Sequence, residues 1–178
     1  MLDKIWFTYR ARIRAQERLA SNDLHSQALL VWYAVVGACL AIVAIRHPQF
    51  LGPDTDIISA IFGVAVLALS MLVTNRDYRG RSLEMRKNYL ALQELYNSAS
   101  QSGSGNQPQV QKQYQELLNS AENHAEIDDK YFRVFHIGAL KTRVPTLREK
   151  IEVHLHLGIR AIILCLMYVG PLSALFFI

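Results

Sequence analysis

The sequence predicts an all-α membrane protein with a transmembrane helical hairpin, a third C-terminal transmembrane helix and long cytoplasmic helices. Three observations predict this class. Of the 178 residues, 51% are hydrophobic. The apolar residues cluster in three runs that carry no charge, and the basic residues gather beside those runs. Because soluble domains intersperse charges along the chain, three uncharged runs in so short a sequence favour membrane helices over buried helices of a soluble core.

Each of the three uncharged runs is 18 residues long. This length is about 27 Å of helix and matches a hydrocarbon core of roughly 30 Å. The first two runs are close in sequence, so the loop between them predicts a tight hairpin. The third contains Gly170 and Pro171, which a membrane helix tolerates, usually with a kink. The runs cover Ala28 to Ile45, Ile57 to Thr74 and Ala161 to Ile178.

The positions of lysine and arginine predict the orientation. Of the 19 basic residues, all but Arg46 fall on one side of the three spans, and cytoplasmic loops carry such an excess. We therefore expect a cytoplasmic N-terminus, an external loop at 46–56, a cytoplasmic segment at 75–158 and an external C-terminus. The same rule explains much of the charge in TNRDYRGRSLEMRK at 74–87, and binding of an anion is the competing explanation.

The chain divides into four predicted segments. They are a cytoplasmic amphipathic N-terminal helix at 1–26, the two-span hairpin at 27–75, a cytoplasmic helical region at 76–158 with a flexible loop at 98–107, and the third transmembrane helix at 159–178. The residues Ser21 to Asp23 predict a break in the chain's first helical stretch, with Asp23 as the cap of the next helix. Asp56 is predicted to cap the second span.

Helical periodicity predicts two long helices in the cytoplasmic region, over 81–96 and 111–135. Joined by a flexible loop, they are expected to pack antiparallel. Pro108 suits the first turn of the second helix, and a loop is predicted near position 140. Thr146 and Glu149 then fit a capping box, from which one helix is predicted to run into the third span.

The sequence contains none of the common motifs for nucleotide hydrolysis, acyl transfer or metal-dependent catalysis. We therefore expect no enzyme activity, no cofactor and no metal site. His154 and His156 are two residues apart, and on a helix such side chains diverge. A net charge of +4 is too small to favour duplex nucleic acid, and none is expected. The acidic cluster is interpreted as a solvated face, and its members are Glu122, Glu126, Asp128 and Asp129.

Small residues recur at helical spacing within the first two spans. In the first span they are Ala34, Gly37, Ala38, Ala41 and Ala44, and close helix packing explains them. In the second span the stripe bears hydroxyl groups and consists of Ser59, Gly63, Val66, Ser70 and Thr74. Two interpretations of the second stripe stay open: helix packing, or the lining of a water path in an oligomer with Phe62 or Leu69 as a constriction.

The order of these features resembles a known family. The basic and aromatic segment FTYRARIRAQERL leads into a tight two-span hairpin, and a basic exit, long cytoplasmic helices and a further apolar segment follow. This architecture resembles the SLATT family, the SMODS and SLOG-associating two-transmembrane effectors of bacterial anti-phage systems. The third span departs from the two-span plan and indicates a subtype with an added C-terminal helix.

The resemblance implies a bacterial inner-membrane effector of an abortive-infection system. Its signal would be a nucleotide or oligonucleotide messenger made by a partner nucleotidyltransferase, and its action would be a pore or disruption of the membrane. Three spans per chain cannot enclose an aqueous pore, so a homo-oligomer of cyclic symmetry is expected. Two alternatives stay open: a non-conducting scaffold that recruits a cytoplasmic partner, and a membrane enzyme.

A nucleotide messenger requires cationic groups for its phosphates and flat side chains for its base. Residues on either side of the helix start at Thr146 are the first candidates, and they are Arg133, His136, Lys141, Arg143 and Arg148, with Tyr131 and Phe135 for stacking. Arg10 and Arg14 of the N-terminal helix are the second choice. The competing interpretation is a solvated basic loop with both aromatic side chains in the core of the bundle.

Overall fold

The computed structural model describes residues 1–101, 107–136 and 143–173, and over these residues the chain forms six α-helices. They are α1 (Leu2–Arg46), α2 (Thr55–Arg76), α3 (Tyr78–Gln101), α4 (Gln107–Asn119), α5 (Glu126–Phe135) and α6 (Leu147–Ser173). Three stretches are long and apolar enough to cross a membrane, namely Leu2–Arg46, Thr55–Gln101 and Leu147–Leu172. The predicted all-α membrane class is therefore confirmed.

The chain forms two compact units. One, here called the polar unit, consists of Met1–Ser21 and Tyr78–His156. The other, here called the apolar unit, consists of Asn22–Asp77 and the described residues from Leu157 onward. Both α1 and α6 contribute residues to each unit.

The first helix is continuous, so the predicted break at Ser21 to Asp23 is wrong. Helix α1 has 45 residues, which is roughly 68 Å of helix. None of the three residues is glycine or proline, and their weak helix propensity is outweighed by the cooperativity of a long helix. Asp23 lies inside the helix, where its side chain accepts a hydrogen bond from Gln27 one turn later, at 2.9 Å.

The loop between α1 and α2 is closed by Thr55 rather than by the predicted cap, Asp56. The buried Thr55 hydroxyl accepts a hydrogen bond from the Leu51 amide at 3.0 Å and donates one to the Gly52 carbonyl at 2.7 Å. Gly52 has a φ of 100°, a conformation that glycine adopts without strain. Asp56 lies in the first turn of α2, where its charge still favours the helix dipole.

In the apolar unit, α1 contacts both other membrane helices. Gly37 allows the close approach of α2, because a Cβ there would lie only 3.0 Å from the ring of Phe62. Close packing, predicted for the first small-residue stripe, is thus confirmed at Gly37. On α6, the Met167 carbonyl accepts a hydrogen bond from the Tyr33 hydroxyl at 3.1 Å, and the ring of Tyr168 lies edge-on to His25.

Helix α3 begins directly after Asp77, which has a left-handed φ of 42° and ends α2. The helix predicted over 81–96 is confirmed and extends to Gln101. The predicted flexible loop at 98–107 is therefore wrong at both ends, because 98–101 belong to α3 and α4 begins at Gln107. Its middle, 102–106, lies outside the described residues.

The helix predicted over 111–135 is two helices, α4 and α5, separated by residues 120–125. The Asp128 carboxylate accepts a hydrogen bond from the Ala125 amide at 3.0 Å and so fixes the start of α5. At the other end of the break, the Ser120 hydroxyl bonds back to the Leu117 carbonyl. Local hydrogen bonds of serine and aspartate thus compete with a continuous helix. Pro108 lies in the first turn of α4, as predicted.

The core of the polar unit lies between α1, α3 and α4. Its buried residues are Ile5, Tyr9, Leu92, Leu95 and Tyr114. The antiparallel packing of α3 on α4 is confirmed by two contacts: near the start of α3, Arg81 pairs with Glu122, just after α4, and farther along α3, Asn88 bonds to Leu117 in the last turn of α4. A second aromatic group joins α1 to α5 through edge-on contacts among Trp6, Phe7 and Phe132.

One fully buried arginine, Arg12, joins three helices. Its guanidinium donates to the side-chain oxygen of Asn88 on α3 and to the Leu117 and Leu118 carbonyls in the last turn of α4, the latter two at 3.2 and 3.4 Å. Asn88 in turn donates to the Leu117 carbonyl at 2.6 Å and to the Ser120 hydroxyl at 2.9 Å. Burial lowers the pKa of Arg12.

An ion pair between a partly buried arginine and a buried carboxylate joins α1 to α5. Both nitrogens on one edge of the Arg18 guanidinium donate to the two oxygens of Asp128, at 2.8 and 3.0 Å. Asp128 is only 1% exposed. The interpretation of the acidic cluster as a solvated face is therefore wrong for Asp128, and Glu122 and Asp129 also engage arginines, at Arg81 and Arg133.

The start of α6 confirms the predicted capping box. The Thr146 amide donates to Glu149 at 2.8 Å, and the Glu149 amide donates to the Thr146 hydroxyl at 3.3 Å. Arg133 of α5 adds two hydrogen bonds to the same carboxylate, at 2.6 and 3.0 Å. From there α6 runs unbroken through Pro171 to Ser173, so the predicted single helix into the third span is confirmed over the described residues.

We predict that Arg18→Ala lowers the free energy of unfolding by about 3 kcal/mol, because it leaves the carboxylate of Asp128 buried without its partner. Denaturant titration of the detergent-solubilised protein, followed by circular dichroism, measures the change. The matched control is Arg148→Ala, since Arg148 is 88% exposed and pairs with Glu152, and it should cost less than about 1 kcal/mol. Equal losses in the two variants would contradict this assignment.

We also predict an acid-dependent loss of stability that depends on Glu149. The hydrogen bonds from Arg133 and from the Thr146 amide lower the pKa of Glu149 to about 2, against about 4.3 in an unfolded chain. The ionised carboxylate therefore stabilises the fold above about pH 4.3, and this contribution declines as the pH falls toward 2. Melting temperatures between about pH 5 and pH 3 should fall more steeply for the wild type than for Glu149→Gln, and parallel curves would refute the prediction.

Candidate ligand cleft and membrane surface

The polar unit contains a cleft of about 340 Å³. Its lining comes from three stretches of the chain: the first two turns of α1, the α4–α5 region, and the residues before α6. The lining residues are Lys4, Phe7, Thr8, Tyr114, His124, Glu126, Asp129 and Arg143. Cationic, acidic and aromatic side chains therefore face one small space, which suits a ligand that is itself partly charged and partly flat.

The cationic groups of the cleft are Lys4 and Arg143. The Arg143 guanidinium lies 5.1 Å from the centroid of the Phe7 ring, a cation–π distance. The backbone of Arg143 has a φ of 56°, a left-handed conformation that is uncommon for a residue other than glycine and is found often at ligand sites. The aromatic contact and the backbone conformation together hold this cation at the cleft.

The opposite charge comes from Glu126 and Asp129, each of which is paired with a cation of its own helix. Lys130 donates to Glu126 at 2.8 Å, and Arg133 donates to one oxygen of Asp129 at 2.9 Å. Glu126 is 81% exposed, so its carboxylate is open to a ligand. The two carboxylates give the cleft acceptors for hydrogen bonds in addition to its cationic donors.

His124 and Thr8 complete the polar lining. The Nδ1 atom of His124 is buried without a hydrogen-bond partner among the described residues. Burial lowers the pKa of His124, the charge of Arg12 lowers it further, and Asp129 and Asp128 oppose the effect. Thr8 shares a hydrogen bond of 2.8 Å with the Tyr114 hydroxyl, which ties α1 to α4 beside the cleft.

Of the predicted nucleotide-binding residues, Arg143 is the one that lines this cleft. Arg133 is bound by Asp129 and Glu149, and Arg148 is exposed and pairs with Glu152. The ring of His136 stacks on Phe132. Lys141 lies outside the described residues.

The second choice, Arg10 and Arg14, lies on α1 outside the cleft lining. Arg10 contacts the rings of Trp6 and Tyr9. The Arg14 guanidinium lies 3.6 Å from the centroid of Tyr131 and pairs with Glu17 at 3.0 Å. Tyr131 in turn packs on Phe135, with ring centroids 4.5 Å apart, and Phe135 is 47% exposed. Neither aromatic side chain is therefore fully buried in the core: Tyr131 is partly exposed and contacts Arg14, and Phe135 is exposed.

Little in the sequence indicated the other cleft residues. Lys4, Phe7 and Thr8 stand at helical spacing, which places them on one face of α1. Tyr114, His124 and Glu126, however, come from a region that was predicted to be one straight helix. The break between α4 and α5 brings them to the same cleft, and the hydrogen bonds of Asp128 and Ser120 that make this break were not anticipated.

The predicted pore-lining stripe of α2 is divided between two environments. Ser59, Val66 and Ser70 are partly buried within the chain, as is Phe62. Gly63 and Thr74 are exposed, and a Cβ at Gly63 would meet no atom within 4 Å. The hydroxyl groups bond to carbonyls of their own helix: Ser59 to Thr55 at 2.8 Å, Ser70 to Leu67 at 2.7 Å and Thr74 to Ser70 at 2.9 Å.

A comparison with known proteins assigns the family. A family model described as SMODS and SLOG-associating 2TM effector domain family 5 matches residues 1–178. Comparisons with curated proteins and with solved structures gave no match. Since the match covers the whole sequence and the structure supplies the membrane helices that such an effector requires, the chain belongs to this SLATT family of membrane effectors of anti-phage systems.

Proposed function

We propose that the protein is a nucleotide-controlled effector that forms an oligomeric pore in the bacterial inner membrane and so causes abortive infection. The cleft of the polar unit is the site for the nucleotide messenger, which a partner nucleotidyltransferase supplies. The apolar units of several copies, arranged with cyclic symmetry, form the pore. The protein itself catalyses no reaction in this mechanism.

The observation that carries the proposal is the continuity of α1. Its first two turns supply Lys4, Phe7 and Thr8 to the cleft, and its C-terminal half is the first membrane span. A single helix without a break therefore carries residues of the ligand site and residues of the membrane unit. A ligand controls such a protein only by binding one of its states better than the other. Helix α1 can transmit a change of state because it carries both cleft residues and the first membrane span.

Charge favours Lys4 and Arg143 as the phosphate ligands. Arg133 and Arg148 already donate to carboxylates, so a phosphate would have to compete with Glu149 or Glu152 for them. Each hydrogen bond to a charged group contributes roughly 1.5–3 kcal/mol. The partner of the protein is thus a small anionic ligand, and we expect no binding of duplex nucleic acid.

The pore needs more than one chain, since three helices cannot enclose an aqueous channel. The exposed side of α2 at Gly63 and Thr74 is the surface that we assign to contacts or a water path between copies. The partly buried positions Ser59, Val66 and Ser70 belong to the packing within one chain and border that surface. Hydroxyl groups bonded to their own helix still accept further hydrogen bonds, from water or from another copy.

We predict that the polar unit lies in the cytoplasm. A reporter that is active only outside the cytoplasm should give a signal when fused after Gly52 or Ile178 and none when fused after Ser102, because the basic residues gather on the cytoplasmic side. A reporter that is active only inside the cytoplasm, fused at the same three positions, is the control and should show the reverse. An external signal at Ser102 would overturn this orientation.

The pore itself is tested by dye release from vesicles that contain the purified protein. We expect release to change when one of the four ribonucleoside monophosphates or a short oligoribonucleotide is added, and we expect Arg143→Ala to abolish that change. Gly63→Leu should alter release without preventing insertion, because nothing in the chain blocks the added side chain.

Ala65→Leu is the matched control for the Gly63 variant, since it adds bulk at an exposed position on another face of the same helix. An equal change of dye release in both variants would contradict the assignment of a water path to the face of α2 that contains Gly63. Vesicles that stay sealed under every condition would favour the non-conducting scaffold.

A further inference from the structure

We propose that the cleft of the polar unit selects a guanine nucleotide with a single phosphate. This inference rests on the proposed function, since it names the ligand class of the same site. Its three parts are the size of the cleft, the balance of its charges and the hydrogen-bonding character of its carboxylates. Each part follows from described residues of the polar unit.

The size of the cleft fits one nucleotide. Its volume of about 340 Å³ is near the lower end of the roughly 300–1,000 Å³ of small-molecule pockets. The buried rings of Phe7 and Tyr114 are part of its lining, which suits a flat heterocycle. A chain of several nucleotides would have to extend beyond this space.

The balance of charges limits the number of phosphates. Two cations, Lys4 and Arg143, line the cleft together with two carboxylates, Glu126 and Asp129. One phosphate can lie against the cations. Further phosphates in the same small space would approach the carboxylates, and like charges at close range repel strongly. The ligand is therefore anionic at one end only.

The two carboxylates of the cleft identify the base. A carboxylate is an acceptor only, so the edge of the base that meets it has to present N–H donors. Lys130 engages one oxygen of Glu126 and Arg133 engages one oxygen of Asp129; the second oxygen of each is the acceptor that we assign to the ligand. Among the four bases, guanine alone has two adjacent donors, N1–H and the N2 amino group, on its pairing edge. Adenine, cytosine and uracil place acceptors beside their donors on this edge.

Isothermal titration calorimetry on the full-length protein in lipid nanodiscs tests the assignment, with guanosine 5′-monophosphate as the first probe. Inosine 5′-monophosphate differs only by the missing N2 amino group, and we expect it to bind at least about tenfold more weakly, since one donor to a carboxylate is lost. Adenosine 5′-monophosphate should be weaker than guanosine 5′-monophosphate by a similar factor or more. Guanosine without phosphate should also bind more weakly.

Glu126→Gln is the variant of choice because this side chain is 81% exposed and its replacement leaves the core untouched. It should lower the affinity for guanosine 5′-monophosphate at least about tenfold. It should also reduce the difference in affinity between guanosine and inosine 5′-monophosphates. Arg143→Ala should weaken the nucleotide and leave guanosine nearly unchanged. The matched control is Lys112→Ala, an exposed cation of α4 outside the cleft, which should change none of these affinities.

Equal affinity for guanosine, inosine and adenosine monophosphates would overturn the proposal, as would an unchanged preference in Glu126→Gln. A guanosine dinucleotide that binds more tightly than the monophosphate would overturn the limit to one phosphate and indicate an oligonucleotide source. If another nucleotide binds and controls dye release, the proposed function stands and the guanine assignment falls. If guanosine 5′-monophosphate binds as described and release does not respond, the assignment stands and nucleotide control of the pore falls.

Discussion

The polar unit depends on the buried guanidinium of Arg12. Its partners among the described residues are neutral: the amide of Asn88 and the carbonyls of Leu117 and Leu118. A buried charge costs several kcal/mol unless hydrogen bonds replace its water. The last carbonyls of a helix lack partners within it and carry the negative end of its dipole. The cation and the end of α4 therefore stabilise each other, and α1, α3 and α4 have to meet at this point.

Two arginines of α1 fix both ends of the turn between α4 and α5. Arg12 binds the last turn of α4 through the Leu118 carbonyl, and Arg18 pairs with Asp128 in the first turn of α5. The turn between α4 and α5 carries His124, which lines the cleft and has Arg12 and Asp128 among its electrostatic neighbours. An anion in the cleft would favour the protonated imidazole and so act on the same cluster of charges that holds α1. In the function that we propose, this cluster couples occupancy of the cleft to the helix that enters the membrane.

The membrane helices and the capping box of α6 were predictable because each depends on residues close in sequence. An uncharged run of 18 residues identifies a span without knowledge of any partner, and Thr146 meets Glu149 within one turn. The break between α4 and α5 is made by local hydrogen bonds of Ser120 and Asp128, but the burial of Asp128 also depends on Arg18, which is 110 positions away in sequence. Neither local propensity nor periodicity indicates such a pairing. The sequence pattern therefore predicted one straight helix with Asp128 on its solvated face, and it did not indicate the cleft.

The same contrast applies to the arginines. Sequence position alone made Arg133, Arg143 and Arg148 equivalent candidates for a phosphate, since all three lie near the start of α6. The structure separates them by their partners: two already donate to carboxylates, whereas the guanidinium of Arg143 lies over the ring of Phe7 at the cleft. An aromatic ring positions a cation without neutralising it. Arg143 is therefore positioned at the cleft by an aromatic ring, and the carboxylates that share the cleft with it have their own counter-ions on α5.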